Sequence, residues 1–208
     1  MTFGAPELGA VIDECRDALV GARVKNIYDE GDKGWVFRLQ VDRESRFLHL
    51  CAQPGFARLH LQPVRNSSPA SPGDFCQALR SRLSGAVLED LFQVGGDRIA
   101  ELVFDTPAGR QHLVQELFGL RPDILLLDGE RRILCTLSDV SGSTSRYTRG
   151  ELYKFPPPPS NPPAGASDWL AASPGEGEFP LNFQAAEMLA AAEAEGLLLA
   201  KKKRLSVS

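Results

Sequence analysis

The fold of this chain is decided by residues 83–104, which read LSGAVLEDLFQVGGDRIAELVF. Residues 19–39 carry nearly the same pattern, LVGARVKNIYDEGDKGWVFRL, 64 positions earlier. Both copies place a leucine before a Gly-Ala pair, followed by apolar residues, an aromatic residue and a turn that contains glycine. Chance rarely repeats so many positions at one offset, so the sequence predicts one structural unit that is used twice.

Each unit is predicted to begin with a helix and to continue as antiparallel strands. Apolar residues recur at every third or fourth position from Leu8 to Leu19, a spacing typical of a helix buried on one face. Residues 71–74, SPGD, and then Gly85 supply the start and the end of a second helix. After each helix, alternating apolar residues and glycine-rich turns predict four strands. We therefore predict the α+β class: a two-sheet antiparallel β-sandwich with two helices, built from a duplicated helix-meander unit.

The chain is predicted to divide into three parts. Residues 1–155 are expected to form the domain, and residues 156–181 form a Pro-rich linker that opens with PPPPSNPP. Residues 182–208 are rich in Ala, Glu, Leu and Lys and predict a helix resembling the start of a coiled-coil arm, open to a coiled-coil partner or to self-association. We expect the linker to be extended and the terminal helix to make few contacts with the domain.

Composition limits the class of protein. The 208 residues are 43% hydrophobic, but no 18-residue window is uninterrupted by polar residues and no basic segment leads into an apolar stretch at the start. This pattern indicates a cytoplasmic protein without a membrane span or an ordinary signal peptide. The four cysteines, at positions 15, 51, 76 and 135, include no Cys-x-x-Cys pair, which favours reduced core thiols over disulfides or zinc ligands. No metal and no cofactor are predicted.

Charge argues against a global attraction to nucleic acid. Residues 1–155 contain 19 basic and 21 acidic side chains, so any contact with RNA must be local. Arg80 and Arg82 lie off the apolar stripe of the second predicted helix and are candidates for contacts with an RNA backbone. A second basic group consists of Arg131, Arg132, Arg146 and Arg149. Each group fits either a local RNA contact or an ordinary solvated surface.

Four blocks of sequence, in the right order, resemble the amino-terminal domain of the NFACT family. They are residues 75–86 (FCQALRSRLSGA), 96–99 (GDRI), 116–119 (ELFG) with 123–128 (DILLLD), and 150–157 (GELYKFPP). This domain leads the bacterial RqcH factors, which are also named fibronectin-binding proteins, and the eukaryotic NEMF group. The resemblance covers residues 3 to 157 and implies a fold similar to the amino-terminal domain of the formamidopyrimidine-DNA glycosylases.

The resemblance implies a role in ribosome-associated quality control. Family members bind the large ribosomal subunit with its peptidyl-tRNA, recruit a charged tRNA and support template-free extension of the stalled chain. The ribosome performs peptidyl transfer, so the family resemblance implies a binding protein rather than an enzyme.

The same resemblance implies which residues bind tRNA. Asp97 and Arg98 match a pair that the family uses for tRNA recognition, and Glu116 matches a glutamate implicated in the same activity. Gly95 and Gly96 allow close approach of a backbone, and Arg98 offers five donors to a phosphate or a base edge. The alternative is an ordinary hairpin turn in which Asp97 bonds its own backbone while Arg98 is solvated.

The chain also departs from the family pattern. After the Glu-Leu-x-Gly block the family has basic and polar residues with an asparagine, whereas residues 120–123 read LRPD. The family's helix-hairpin-helix domain has no room before the predicted coiled-coil start, so the chain is interpreted as a fragment or a reduced relative.

Two rival functions follow from the same resemblance. A glycosylase-like enzyme would need a proline after the initiator Met and then a carboxylic acid, where this chain has Thr2 and Phe3. The three histidines, His49, His60 and His112, lie on predicted strands, where we expect them to be hydrogen-bonded, and suggest no catalytic grouping. The second rival is an adhesin that binds fibronectin or fibrinogen, the sense of the family's older name, but the sequence shows no export signal.

Overall fold

The computed structural model describes residues 4–31, 33–65, 71–118, 121–140, 146–157 and 177–205, with side chains throughout except at 139–140 and 197–205. The first unit consists of helix α1 (Ala5–Leu19) and strands β1 (Arg23–Gly31), β2 (Gly34–Val41), β3 (Glu44–Cys51) and β4 (Arg58–Gln62). The second consists of α2 (Asp74–Leu83), β5 (Val87–Gln93), β6 (Ile99–Thr106), β7 (Gly109–Glu116) and β8 (Asp123–Leu127). Strand β9 (Ile133–Thr136), α3 (Leu137–Val140) and α4 (Pro180–Leu205) follow. The two units share one element order, as the repeat predicts.

The nine described strands form one antiparallel sheet in the order β4-β3-β2-β1-β5-β6-β7-β8-β9. Arg23 of β1 pairs with Val87 of β5, and these residues are equivalent positions of the two sequence copies. The prediction of two separate sheets is therefore wrong. Within its own unit, the first strand pairs with a neighbour on one side only. The open edges of β1 and β5 bond to each other and join the two meanders into one sheet.

The junction between the two units is symmetric in its hydrogen bonds. The Val24 N–H donates to the Ala86 carbonyl at 2.8 Å, and the equivalent bond from Leu88 to Ala22 is 2.9 Å. Each first strand also has a register shift at the same place, which begins at Val24 in β1 and at Leu88 in β5. The duplicated unit is thus visible in backbone detail as a pseudo-twofold axis between β1 and β5.

The sheet curves so that the apolar faces of its two halves meet. Phe37 of β2 and Phe104 of β6 stack with ring centroids 6.2 Å apart, although two strands separate them in the sheet. Gln115 on β7 donates to the carbonyl of Cys51 at 2.8 Å and to that of Arg58 at 3.0 Å. The main core lies between the two halves, as it would in a sandwich. The likeness to the glycosylase domain stays a prediction.

The start of α4 docks on the domain, so the prediction that this helix makes few contacts is wrong. Phe179, Ala185 and Leu189 are buried in the main core. Asn182 is fully buried, accepts from the Leu61 N–H of edge strand β4 at 2.7 Å and donates to the Val11 carbonyl of α1 at 3.2 Å. The boundaries 1–155, 156–181 and 182–208 stay a prediction, and residues 158–176 of the linker lie outside the described part of the chain.

Candidate nucleic-acid interface

One end of the sheet brings together the residues that the family resemblance singles out. Asp97 and Arg98 lie in the turn between β5 and β6, and Glu116 is the last residue of β7. Ile99 pairs with Glu116 in the β6–β7 ladder, and the Leu117 N–H donates to the Arg98 carbonyl at 2.9 Å. The turn and the glutamate are therefore neighbours in the fold, although 18 positions separate Arg98 from Glu116 in the sequence.

Two glycines shape the turn. Gly95 and Gly96 have φ angles of +58° and +66°, a backbone conformation that residues with a Cβ rarely adopt. Asp97 Oδ1 accepts from the Arg98 N–H at 2.7 Å, and Gln93 donates to the Asp97 carbonyl at 2.8 Å. The Asp97 carboxylate thus bonds the backbone of its own turn, at the Arg98 N–H, as the hairpin alternative expects. The Arg98 guanidinium is partly exposed and bonds to no described residue, so its donors are available to a ligand.

Glu116 is not a solvated carboxylate at a strand end. It is 0% exposed, its Oε1 accepts from the hydroxyls of Tyr147 and Tyr153, the latter at 3.0 Å, and its Oε2 accepts from Arg146 Nη2 at 2.5 Å. Burial raises the pKa of Glu116 above its ordinary value, although the hydrogen bonds from Tyr147 and Tyr153 and the positive charge of Arg146 act in the opposite direction. Through these bonds, Glu116 holds the segment 146–157 against the outer face of the sheet, which is the face opposite the main core.

A second buried carboxylate lies beside Glu116. Asp123 of β8 pairs with Glu116 across the β7–β8 ladder and is 1% exposed. It accepts from the Ser138 hydroxyl at 2.6 Å and from the Ile124 N–H at 2.9 Å. Burial raises the pKa of Asp123 as well. Because two buried carboxylates adjoin at this point, the guanidinium of Arg146 offsets a local excess of negative charge.

Arg80 and Arg82 lie elsewhere. The Arg80 Nε–H donates to the Ile27 carbonyl of β1 at 2.5 Å, and Arg82 is exposed. The start of helix α2 contacts the carboxyl end of β1, where the Gly73 N–H donates to the Asp29 carboxylate at 2.9 Å. No hydrogen bond or ion pair among the described residues joins either arginine to the Asp97 turn. A contact of either with an RNA backbone stays a prediction.

The sequence interpretation missed a charged cluster on the outer face of the sheet. Glu101 of β6 is fully buried and accepts from His112 Nδ1 and from Arg131 Nη2, both at 2.7 Å. Burial raises the pKa of Glu101, but the bonds from His112 and Arg131 outweigh that effect and hold its pKa below the ordinary value. Because Glu101 interrupts an apolar strand, the sequence signals that it must have a partner, but not which residue that partner is.

In the described part of the chain, no group of three or more His, Cys, Asp or Glu side chains is placed to hold a metal ion. No helix there has the length and apolar composition required to cross a bilayer. Cys15, Cys51 and Cys76 are buried thiols, and Cys135 is half-buried.

The fold and the four sequence blocks together define the class. Residues 7–174 match the family described as NFACT N-terminal and middle domains, and the chain belongs to this family. The resemblance seen in the sequence is thereby confirmed.

The similar proteins carry two kinds of name. The Rqc2 homolog RqcH of Streptococcus pneumoniae serotype 2 is 31% identical over 166 residues, which are 76% of this chain and 30% of that protein. The ribosome quality control complex subunit NEMF of Mus musculus is 33% identical over 132 residues, which are 64% of this chain and 12% of that protein. The chain thus spans less than a third of the length of these curated relatives.

Solved structures show the same fold. The N-terminal domain of fibronectin-binding protein PavA from Streptococcus pneumoniae has a TM-score of 0.68 and 26% identity, with 98% of this chain and 86% of that one covered. The N-terminal part of a fibronectin/fibrinogen-binding protein from Streptococcus suis also has a TM-score of 0.68, with 28% identity and coverage of 80% and 66%.

Proposed function

We propose that this chain acts in cytoplasmic ribosome-associated quality control, where it binds tRNA and the large ribosomal subunit to support template-free tailing of stalled nascent chains. Its similarity to RqcH and NEMF supports the class of process. The observation that carries the proposal is the end of the sheet where the Asp97–Arg98 turn adjoins Glu116.

Each residue of this end has a chemical role in the proposal. The two glycines let the backbone of the turn approach an RNA surface closely. Arg98 donates to a phosphate or a base edge, and Asp97 fixes the backbone that carries it. Glu116 stabilises the neighbouring segment from inside the protein. The chain binds and positions tRNA while the ribosome carries out peptidyl transfer, so no catalytic residue and no cofactor are proposed.

Co-sedimentation with purified large ribosomal subunits tests the proposal. Subunits that carry peptidyl-tRNA should move the full 208-residue chain into the subunit fraction of a gradient, and subunits stripped of tRNA should move less of it. A chain that stays at the top of the gradient with both preparations would contradict the proposed partner.

The names of the solved relatives favour a second candidate, binding to fibronectin or fibrinogen. An adhesin must be reachable from outside the cell, whereas a quality-control factor is not. Labelling of intact cells with a membrane-impermeant reagent separates the two. Under our proposal the protein is labelled only after lysis, and labelling in intact cells would favour the adhesin.

A further inference from the structure

Glu116 is closed to any ligand that approaches from solvent. Its exposed fraction is 0%, and both carboxylate oxygens accept hydrogen bonds from within the protein. An RNA group would have to displace Arg146 or a tyrosine hydroxyl to reach it. Any effect of Glu116 on tRNA binding must therefore pass through a residue that it holds.

Arg146 is the residue through which that effect can reach solvent. Its side chain is 43% exposed, and its Nη2 donates to Glu116 at 2.5 Å and to the Arg121 carbonyl at 3.3 Å. Its guanidinium lies 5.4 Å from the Tyr147 ring centre and 5.8 Å from that of Phe118. Nε and Nη1 donate to no described acceptor. One edge of the guanidinium is therefore fixed by the protein, and the other edge keeps its donors.

Arg98 carries a second guanidinium, and its backbone lies at the same end of the sheet. Its backbone carbonyl accepts from Leu117, the residue that follows Glu116. Unlike Arg146, which is paired with the buried carboxylate of Glu116, the Arg98 guanidinium bonds to no described residue. Of the two, only Arg146 therefore has one edge of its guanidinium fixed by the protein, so it loses little conformational entropy when the other edge binds a phosphate.

We propose that Glu116 is a positioning residue that orients Arg146, and that Arg146 binds a phosphate of the tRNA beside the contact made by Arg98. This inference rests on the proposed function, since it names the group through which that site holds its ligand. It adds a contact residue outside the Asp97–Arg98 turn and assigns Glu116 an indirect role.

A double-mutant cycle on the full chain tests the inference. Arg146→Gln should weaken tRNA binding about tenfold, the size of one charge-assisted contact. It should also reduce the slope of log affinity against log salt by about 0.7 to 0.9, the value of one phosphate contact. Glu116→Gln keeps an acceptor for the tyrosines but removes the charge that holds Arg146, so it should weaken binding several-fold. In the Arg146→Gln background it should change nothing further.

Matched controls keep the test specific. Arg149→Gln removes the same charge from an exposed residue three positions away and should have less than half the effect of Arg146→Gln on the logarithm of affinity. Tyr153→Phe removes one bond to Glu116 but leaves the ion pair with Arg146, so it should bind tRNA as the parent does. If Glu116→Gln fails to fold, comparison of Arg146→Gln with Arg149→Gln still tests the contact between Arg146 and tRNA.

The outcomes separate this inference from the proposed function. If Asp97→Ala with Arg98→Ala weakens binding while Arg146→Gln does not, the inference is overturned and the function stands. An equal effect of Glu116→Gln with and without Arg146, or equal effects of Arg146→Gln and Arg149→Gln, also overturns it. If the parent chain binds no tRNA at all, the proposed function itself fails.

Discussion

His49 and His60 face each other across β3 and β4, with Nδ1 of His49 3.4 Å from Nε2 of His60. His60 Nδ1 lies 3.0 Å from the Leu61 carbonyl, so this nitrogen donates and Nε2 accepts from His49. Burial lowers the pKa of His60 to about 4 and that of His49 well below its usual value. Both imidazoles are therefore neutral in the folded protein near pH 7.

This pair predicts a loss of stability in mild acid. Between the ordinary histidine pKa of about 6.5 and about 4, the unfolded chain binds a proton at His60 that the folded chain does not. The free energy of unfolding must then decrease as pH falls, by about 2 kcal/mol from His60 alone between pH 7 and pH 5. Urea unfolding at several pH values measures this slope.

His60→Gln is the variant that checks the assignment. It removes the titrating group, so the free energy of unfolding should depend less steeply on pH over the same range, even if the variant is less stable at pH 7. A slope equal to that of the parent would show that other groups cause the acid sensitivity.

The roles of some residues could be predicted from their own chemistry and their sequence neighbours, and the roles of others could not. Gly21 and Gly85 end the first two helices with φ angles of +87° and +81°, and this role follows from glycine's own conformational range. The partners of Glu116 lie 30 or more positions away on another segment. Nothing in the residues around Glu116 indicates that Arg146 and Tyr153 reach it, so its burial could not be predicted.

At the scale of elements, the docking of α4 could not be predicted from the pattern of apolar residues along it. The composition predicts the helix, but docking depends on Asn182, a polar side chain on its apolar face. Its amide bonds to α1 and β4 at once, which satisfies the Leu61 N–H of an edge strand. Whether an asparagine at such a position faces solvent or a buried backbone is decided by the neighbouring elements, not by the helix itself.

Asn182→Ala is expected to destabilise the protein by about 3 kcal/mol, since it leaves the buried Leu61 N–H and Val11 carbonyl without this partner. Limited proteolysis should then cut within α4 faster than in the parent. Glu187→Ala, at an exposed position of the same helix, is the matched control and should leave both stability and cleavage unchanged. Equal cleavage of Asn182→Ala and the parent would show that the helix docks by other means.

At the scale of the whole molecule, the two copies of the unit share a fold, but only the second carries the candidate site. The strands and turns of both copies were predictable because each depends on a few neighbouring residues. Joining of the copies into one sheet was not, since it depends on two distant strand edges that bond across the pseudo-twofold axis. Where Ile99 pairs with Glu116 in the second copy, the first copy pairs Gly34 with Cys51 and has no carboxylate. The candidate site therefore belongs to one copy alone.

The proposal that the Asp97–Arg98 turn binds tRNA is tested by the tRNA affinity of the Asp97→Ala, Arg98→Ala double variant. The affinity is measured at a stated salt concentration, on preparations whose melting temperatures are known. Substitutions in a surface turn change stability by about 0.5 kcal/mol, whereas a lost charge-assisted contact with RNA costs about 1 to 3 kcal/mol. Arg43→Ala, which removes an exposed arginine from the turn between β2 and β3, is the control for the loss of charge.

If the turn binds tRNA as proposed, the Asp97–Arg98 double variant should melt within a few degrees of the parent and bind tRNA about 5- to 150-fold more weakly, while Arg43→Ala should bind as the parent does. A double variant that melts normally and keeps the affinity of the parent would show that this turn is an ordinary hairpin tip with no part in tRNA binding.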